Sequence, residues 1–109
     1  MVRALDALGK LWERSRNVVV HGHREYNPGW HTAIDLKHLL TVSEAITRSA
    51  IERKESRGGH FRDDFPNKNA TDGKMNIVLC KAADGSMQVR REPIPEIRED
   101  LKQIIEEMK

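Results

Sequence analysis

The chain has 109 residues, of which 38% are hydrophobic, 5% aromatic and 33% charged, and its formal net charge is +2. This length suits one domain, and no apolar run approaches the roughly 20 residues that a membrane span needs. The near balance of charge argues against a polybasic binder of nucleic acid or anionic lipid. A single cysteine, Cys80, excludes an internal disulfide and favours an intracellular protein.

The first half of the chain carries two helical patterns. Apolar side chains at three- and four-residue spacing predict an amphipathic helix over residues 2–17: Val2, Leu5, Leu8, Leu11 and Trp12. Asn27 and Pro28 are typical of a helix start, and we predict a long helix over about 30–56. Gly58-Gly59 is expected to end it, since glycine tolerates the left-handed conformation of a C-cap. The broad apolar arc of this helix indicates a central position in a bundle.

The second half predicts a loop, a hairpin and a last helix. Residues 61–74 are polar and are expected to form a surface loop, whereas β-type runs on both sides of Asp84-Gly85 predict a hairpin over about 75–91. Pro95 suits a first helical position, so we predict a helix over 96–108. Its apolar stripe comprises Ile97, Leu101, Ile104, Ile105 and Met108. The predicted fold is therefore mainly α, with three helices and one hairpin.

The sequence shows no motif that is typical of catalysis, metal binding or phosphate binding. The chain has five histidines, whose spacing is not that of zinc ligands, and one cysteine that could act as a further ligand. The histidines are His21, His23, His31, His38 and His60. There is no nucleophile elbow or P-loop, and Gly58-Gly59 does not form the glycine-rich loop of a dinucleotide site. Cys80 lies in an apolar run, where a thiol is usually an inert small side chain. We therefore predict no catalytic, metal-binding or cofactor-binding residue in this chain.

Residues 52–64 form the densest polar stretch, in which basic and acidic side chains alternate around His60 and Phe61. Basic side chains near an aromatic one are compatible with a small helical RNA-binding module, whose affinity would fall with added salt. The acidic side chains cancel that charge, so we favour docking of a helix end through arginine–carboxylate pairs. An exposed helix terminus with weak ion pairs is the remaining alternative.

Three strings carry a family resemblance: Asn27-Pro-Gly-Trp-His31, the long helix through Ser43-Glu44-Ala45, and Glu55-Ser-Arg-Gly-Gly-His60-Phe-Arg-Asp-Asp-Phe-Pro66. Together they resemble the C-terminal domain of succinate dehydrogenase and fumarate reductase flavoprotein subunits. The first string resembles the succinate dehydrogenase branch. L-aspartate oxidase has a similar ESRG motif and is the alternative among enzymes. The resemblance covers most of the chain and is strongest from Asn27 to Pro66.

The resemblance implies a spectrin-repeat-like helical bundle that lacks its first helix, in a fragment of a longer flavoprotein. The parent would oxidise succinate to fumarate with FAD and pass electrons to an iron–sulfur subunit. Its catalytic and flavin-carrying residues lie in upstream domains, so this chain alone is expected to be inactive and to hold no flavin. It would dock on the FAD-binding and capping domains, within a complex peripheral to the cytoplasmic face of the inner membrane. The residues expected to make that interdomain contact are Arg57, His60, Arg62 and Asp64.

Two departures from the family have structural consequences. Gly73-Lys74-Met75 stands where many relatives have a tryptophan and a Lys-His pair. The missing first helix leaves part of the apolar arc of helix 30–56 uncovered, which a soluble monomer rarely tolerates. Either the last helix folds back over the arc or two chains pair there, and we expect a dimer or a larger assembly of the isolated chain.

Overall fold

Three helices and one antiparallel hairpin form the computed structural model, which describes residues 1–108. The elements in chain order are α1 (Val2–Ser15), α2 (Pro28–Glu52), a short 3₁₀ turn (Asp72–Lys74), β1 (Met75–Lys81), β2 (Met87–Pro93) and α3 (Glu99–Glu107). α1 lies against α2, and both strands pack on α2. The predicted mainly α fold is confirmed, whereas its likeness to a spectrin repeat stays a prediction. None of the described helices is long and apolar enough to cross a membrane.

Both ends of the loop between α1 and α2 are set by local hydrogen bonds. α1 ends at Ser15 rather than 17, because the amides of residues 16–18 bond three residues back and so form a tighter turn. α2 begins at Pro28, two residues earlier than predicted. The extended Asn27 caps this end, since its Oδ1 accepts a hydrogen bond from the Gly29 amide at 3.1 Å.

The C-terminal end of α2 differs from the prediction. Arg53 has an extended backbone (φ −80°, ψ 110°), so the helix ends at Glu52 and the prediction of an end at residue 56 is wrong. Gly58 has φ +58° and belongs to a separate tight turn instead. In that turn the Arg57 amide donates to the His60 carbonyl at 2.8 Å, and the His60 amide donates to the Arg57 carbonyl at 3.0 Å.

The hairpin is longer than predicted and has the expected turn. Met75 pairs with Pro93 and Lys81 pairs with Met87, so the ladder extends to residue 93 rather than 91. Gly85 adopts φ +84° in the turn, a conformation that favours glycine. The predicted Asp-Gly hairpin is therefore confirmed, and only its end is corrected.

α3 begins three residues later than predicted and stands apart from the other elements. The Ile94 amide donates to the Lys74 carbonyl at 2.9 Å, which holds the chain along the hairpin beyond β2. Arg98 is the extended N-cap (φ −57°, ψ 145°), so the prediction that Pro95 opens the helix is wrong. Within residues 1–108, α3 packs extensively against no other helix or strand. The last helix therefore does not fold back over α2.

The interior of the molecule is small and unusually polar. Leu40, at 5% exposure, is the only buried apolar side chain among the described residues, whereas Glu55, Ser56, Arg62 and Asp72 are buried polar ones. The radius of gyration is 19.8 Å and the longest dimension is 64 Å. A compact chain of this length would have a radius of gyration of about 13 Å. Much apolar surface is therefore left uncovered.

Candidate docking site at the end of the long helix

Glu55 lies at the centre of an arginine–carboxylate cluster, which comprises Glu52, Arg53, Glu55, Arg57, Asp72 and Arg91. The Glu55 side chain is 0% exposed. Its Oε1 accepts hydrogen bonds from Arg53 Nη1 at 2.6 Å and Arg57 Nε at 3.0 Å. Its Oε2 accepts from Arg57 Nη2 at 3.1 Å and from the Asn69 amide at 2.7 Å. These bonds, those from Arg57 foremost, lower the pKa of Glu55 from 4.5 to about 2, so the buried carboxylate stays ionised.

The two arginines that bind Glu55 also connect α2 to the loop before β1. Arg53 donates to the Asp72 carbonyl at 3.1 Å and to the Met75 carbonyl at 2.9 Å. Arg57 donates to the Asn69 carbonyl at 3.2 Å. Because a guanidinium carries five donors in a rigid fork, each arginine can bind a carboxylate and a backbone carbonyl together. The loop is thereby fixed across the end of the helix.

Arg91 attaches the hairpin to the same helix end. Its Nε binds Glu52 Oε1 at 2.7 Å and its Nη2 donates to the Glu52 carbonyl at 2.8 Å. The remaining nitrogen, Nη1, binds Oδ1 of the buried Asp72 at 2.7 Å. One side chain from β2 therefore joins the helix terminus and the loop, and it satisfies a carbonyl that the end of α2 leaves without a helical partner.

Arg62 caps α2 in the role that the sequence assigned to glycine. The guanidinium is buried, and its Nη1 lies 3.0 Å from the Ala50 carbonyl and 3.1 Å from the carbonyls of Ile51 and Arg53. The other two nitrogens bind the Asp64 carboxylate at 2.8 and 2.5 Å, which lowers the pKa of Asp64. A cation beside the last carbonyls also opposes the negative end of the helix dipole.

The four predicted docking residues all lie at this end of the molecule, and each has a polar partner in its own chain. Arg57 and Arg62 hold carboxylates and carbonyls, and Asp64 is the carboxylate bound by Arg62. His60 is half-buried, with Nε2 at 3.4 Å from the Arg53 carbonyl. Their action between domains stays a prediction. The same bonds join the arginines of this segment to carboxylates and carbonyls of their own chain.

Five members of the cluster were not among the residues predicted from the sequence: Glu52, Arg53, Glu55, Asp72 and Arg91. The dense alternation of charge over residues 52–64 indicated arginine–carboxylate pairing in general. It did not indicate which pairs form, because the partners Asp72 and Arg91 lie 19 to 39 residues away from the groups they bind. Total burial of Glu55 had no sequence signal.

An exposed apolar tip lies beside the cluster. Phe61 is 69% exposed and Phe65 is 37% exposed. The backbone that carries them is fixed, since Ser56 Oγ donates to the Phe65 carbonyl at 2.8 Å and accepts from the Arg62 amide at 2.9 Å. A cleft of about 410 Å³ separates Phe61 from the start of α1 at Val2. A rigid loop thus presents aromatic side chains to solvent.

The described residues offer no cluster of three or more metal-binding side chains. Of the histidines that the sequence raised, His60 lies near the cluster, but the backbone carbonyl of Arg53 is the polar atom next to its ring. The residues of this end do not fit FAD either, because their arginines are already bound and Gly58 lies in a tight turn rather than after a strand.

A protein-family profile described as "Fumarate reductase flavoprotein C-term" matches residues 1–105. The fumarate reductase flavoprotein subunit of Mycobacterium tuberculosis H37Rv is 30% identical over 95 residues, which cover 86% of this chain and 16% of that protein. The fumarate reductase flavoprotein subunit of Serratia sp. is 42% identical over 65 residues, which cover 59% of this chain and 11% of that protein.

Solved structures share the fold. The structure described as "Mycobacterium smegmatis Sdh1 in complex with UQ1" superposes with a TM-score of 0.86 and 38% identity, over 95% of this chain and 18% of that one. A variant of FrdA from E. coli quinol fumarate reductase gives a TM-score of 0.72 and 27% identity, over 83% of this chain and 16% of that one. This chain spans less than one fifth of the length of these relatives. By sequence and by fold, it belongs to the family of C-terminal domains of succinate dehydrogenase and fumarate reductase flavoproteins.

Proposed function

We propose that this chain is a structural docking domain of a succinate dehydrogenase flavoprotein subunit, joined to the rest of the subunit through the end of α2. The observation that supports this most directly is the contrast between the buried cluster and the exposed tip at that end of the molecule. In the cluster, the Glu55 carboxylate accepts hydrogen bonds from four donors. The tip outside presents Phe61 on a fixed backbone. Rigid exposed aromatic side chains are typical anchors of protein interfaces.

The accessible surface of the chain is larger than that of a compact monomer, which supports a domain that other domains cover. The accessible surface is 9,119 Å². A compact monomer of 12.5 kDa would expose about 6,200 Å². The difference of about 2,900 Å² exceeds what one partner contributes to a standard interface, which is about 800 Å². A domain with this much excess surface gains stability when other domains cover it.

The parent enzyme would oxidise succinate to fumarate with FAD held on an upstream domain and pass electrons to an iron–sulfur subunit. The superposition on Sdh1 and the NPGWH string favour the succinate dehydrogenase branch. Within that enzyme this domain contacts the FAD-binding and capping domains and lies on the cytoplasmic face of the membrane. The chain contributes assembly and no chemistry, so the purified chain should show no flavin absorbance band, and a stoichiometric band would contradict the proposal.

A chimaeric subunit tests the docking role. This chain would replace the matching 18% of M. smegmatis Sdh1, and the yield of assembled complex and the kinetics of succinate oxidation would be measured. We expect assembly with a Michaelis constant for succinate close to that of the unmodified enzyme. A chimaera that folds but does not assemble would contradict the proposal.

Arg57→Ala in the same chimaera separates docking from catalysis. Loss of the Arg57 bonds to Glu55 leaves a buried carboxylate short of donors, so we expect less assembled complex and a nearly unchanged Michaelis constant. Arg90→Ala is the matched control, because the Arg90 side chain makes an exposed ion pair with Glu92 at 3.0 Å, and such pairs contribute little to stability. A large rise in the Michaelis constant with normal assembly would place Arg57 in the active site and overturn this assignment.

A further inference from the structure

A cleft of about 540 Å³ lies between α1, α2 and the hairpin, and no residue of the cluster lines it. This volume is in the usual range of ligand-binding pockets, about 300–1,000 Å³. Its wall on α2 consists of Thr41, Glu44 and Arg48, which share one face of the helix at three- and four-residue spacing. Because that face is polar, it differs from the apolar faces of α2 that other domains of a longer flavoprotein would cover. The cleft is therefore built by this chain itself and faces water.

The wall of the cleft on α1 is Trp12, which carries an unpaired hydrogen-bond donor. Its indole Nε1 is buried and has no hydrogen-bond partner among the described residues. A buried donor without an acceptor destabilises a fold, and native proteins rarely leave one. Because Nε1 is buried by its own chain, a domain that covers the molecule from outside cannot reach it. An acceptor that enters the cleft can pair with it after a small turn of the indole ring.

Two cationic side chains line the same cleft. Arg48 Nε binds Glu44 Oε1 at 2.7 Å, and the terminal nitrogens of this guanidinium bind no acceptor within residues 1–108. Lys81, at the end of β1, makes no ion pair with the described part of the chain. Glu44 is the one acidic side chain of the lining, so two cations and one carboxylate give the cleft a net charge of +1. This charge suits a ligand with a single carboxylate, which cationic donors bind strongly.

Leu79 of β1 and Met87 of β2 complete the cleft with half-buried apolar side chains. Methionine adapts its shape to a neighbouring aromatic ring. We propose that the cleft binds a small aromatic carboxylate whose ring carries a hydroxyl group. The ring packs between Trp12 and the apolar side chains of the hairpin, and its hydroxyl oxygen accepts the hydrogen bond of the indole. The carboxylate binds the two cations, Arg48 and Lys81.

Nitrogen–proton correlation NMR of the full chain tests the proposal, with 3-(4-hydroxyphenyl)propionate as the probe. The chain has two tryptophans and therefore two indole signals, which a Trp30→Phe variant assigns. We expect the Trp12 signal to move saturably, to lower field in the proton dimension, with a Kd of about 1 mM or lower. The Trp30 signal should not move, since Trp30 does not line the cleft.

Two analogues of the probe separate the contributions of its charge and its hydroxyl group. The neutral amide of the probe lacks the charge that the cations bind, so we expect its binding to be weaker by about tenfold or more. 3-Phenylpropionate lacks the hydroxyl group, and it should leave the Trp12 proton signal without the shift to lower field. Equal binding of the probe and its amide would overturn the proposal.

Substitutions of the cations test the placement of the carboxylate. Arg48→Gln and Lys81→Gln should each weaken binding of the probe by about fivefold or more. Lys68→Gln is the matched control, because Lys68 is exposed and lies outside the cleft, so the net charge falls equally while the Kd should not change. A Trp12 signal that the probe does not move would show that water alone pairs with Nε1, and would overturn the proposal. The measurement uses this chain alone, so its outcome is independent of the assembly of the chimaera.

Discussion

Leu39 and Leu40 are neighbours on α2 with opposite environments, and their substitution by alanine tests the account of the core. Leu40 is 5% exposed and is the only buried apolar side chain described, whereas Leu39 is 61% exposed. Replacement of a buried leucine by alanine costs about 2–5 kcal/mol, because apolar burial is lost and a cavity remains. Truncation of a side chain that is already mostly exposed to solvent lowers the free energy of unfolding by about 1 kcal/mol or less.

We therefore expect Leu40→Ala to lower the free energy of unfolding by about 3 kcal/mol, and Leu39→Ala by a third of that or less. The free energy of unfolding of a domain of this size is about 5–15 kcal/mol, and the small core of this chain places it towards the lower end of that range. Urea unfolding followed by far-ultraviolet circular dichroism measures both losses. Equal losses for the two variants would refute the reasoning, because Leu39 would then be as deeply covered as Leu40.

Three further outcomes follow from the cluster. Glu55 has its pKa lowered to about 2 from 4.5, so its contribution to stability is complete above pH 4.5 and is lost as the pH falls towards 2. The urea midpoint of the wild type should fall more steeply over that range than the midpoint of Glu55→Gln, and parallel curves would count against an ionised Glu55. Gly73→Ala should destabilise the chain, since a Cβ there overlaps the Arg57 guanidinium, which Glu55 holds in place. Gly59→Ala, where a Cβ meets nothing, should change the melting temperature little, and a similar loss for both would disprove the steric argument. Arg57→Ala in the isolated chain should lower the urea midpoint more than Arg90→Ala, and the reverse order would contradict the central place of Glu55.

The elements that were predicted correctly are those governed by neighbouring residues. Apolar spacing placed the three helices, Asn27 and Pro28 marked the start of α2, and Asp84-Gly85 marked the turn of the hairpin. Each of these features depends on interactions within a few residues along the chain. They could therefore be inferred from the sequence without knowledge of the fold.

The end of α2 could not be inferred in this way. Residues 52–55 include good helix formers, so local propensity carries the helix on towards Gly58. The structure stops it at Glu52, and Arg53 and Glu55 bind the loop before β1 instead of continuing the helix. Such partners lie 14 to 22 residues away, and only the fold brings them together.

The bond from Arg91 to the end of α2 has a consequence for the order in which the chain is made. Glu52 is synthesised 39 residues before Arg91. α1 and α2 depend on local contacts and can form early, as helical segments do, whereas contacts between distant residues form late. A nascent chain that stops short of β2 therefore carries Glu52 and Asp72 without their shared cation. The hairpin and the loop before β1 are joined to the end of α2 only when Arg91 has left the ribosome, so a truncated product would lack that connection.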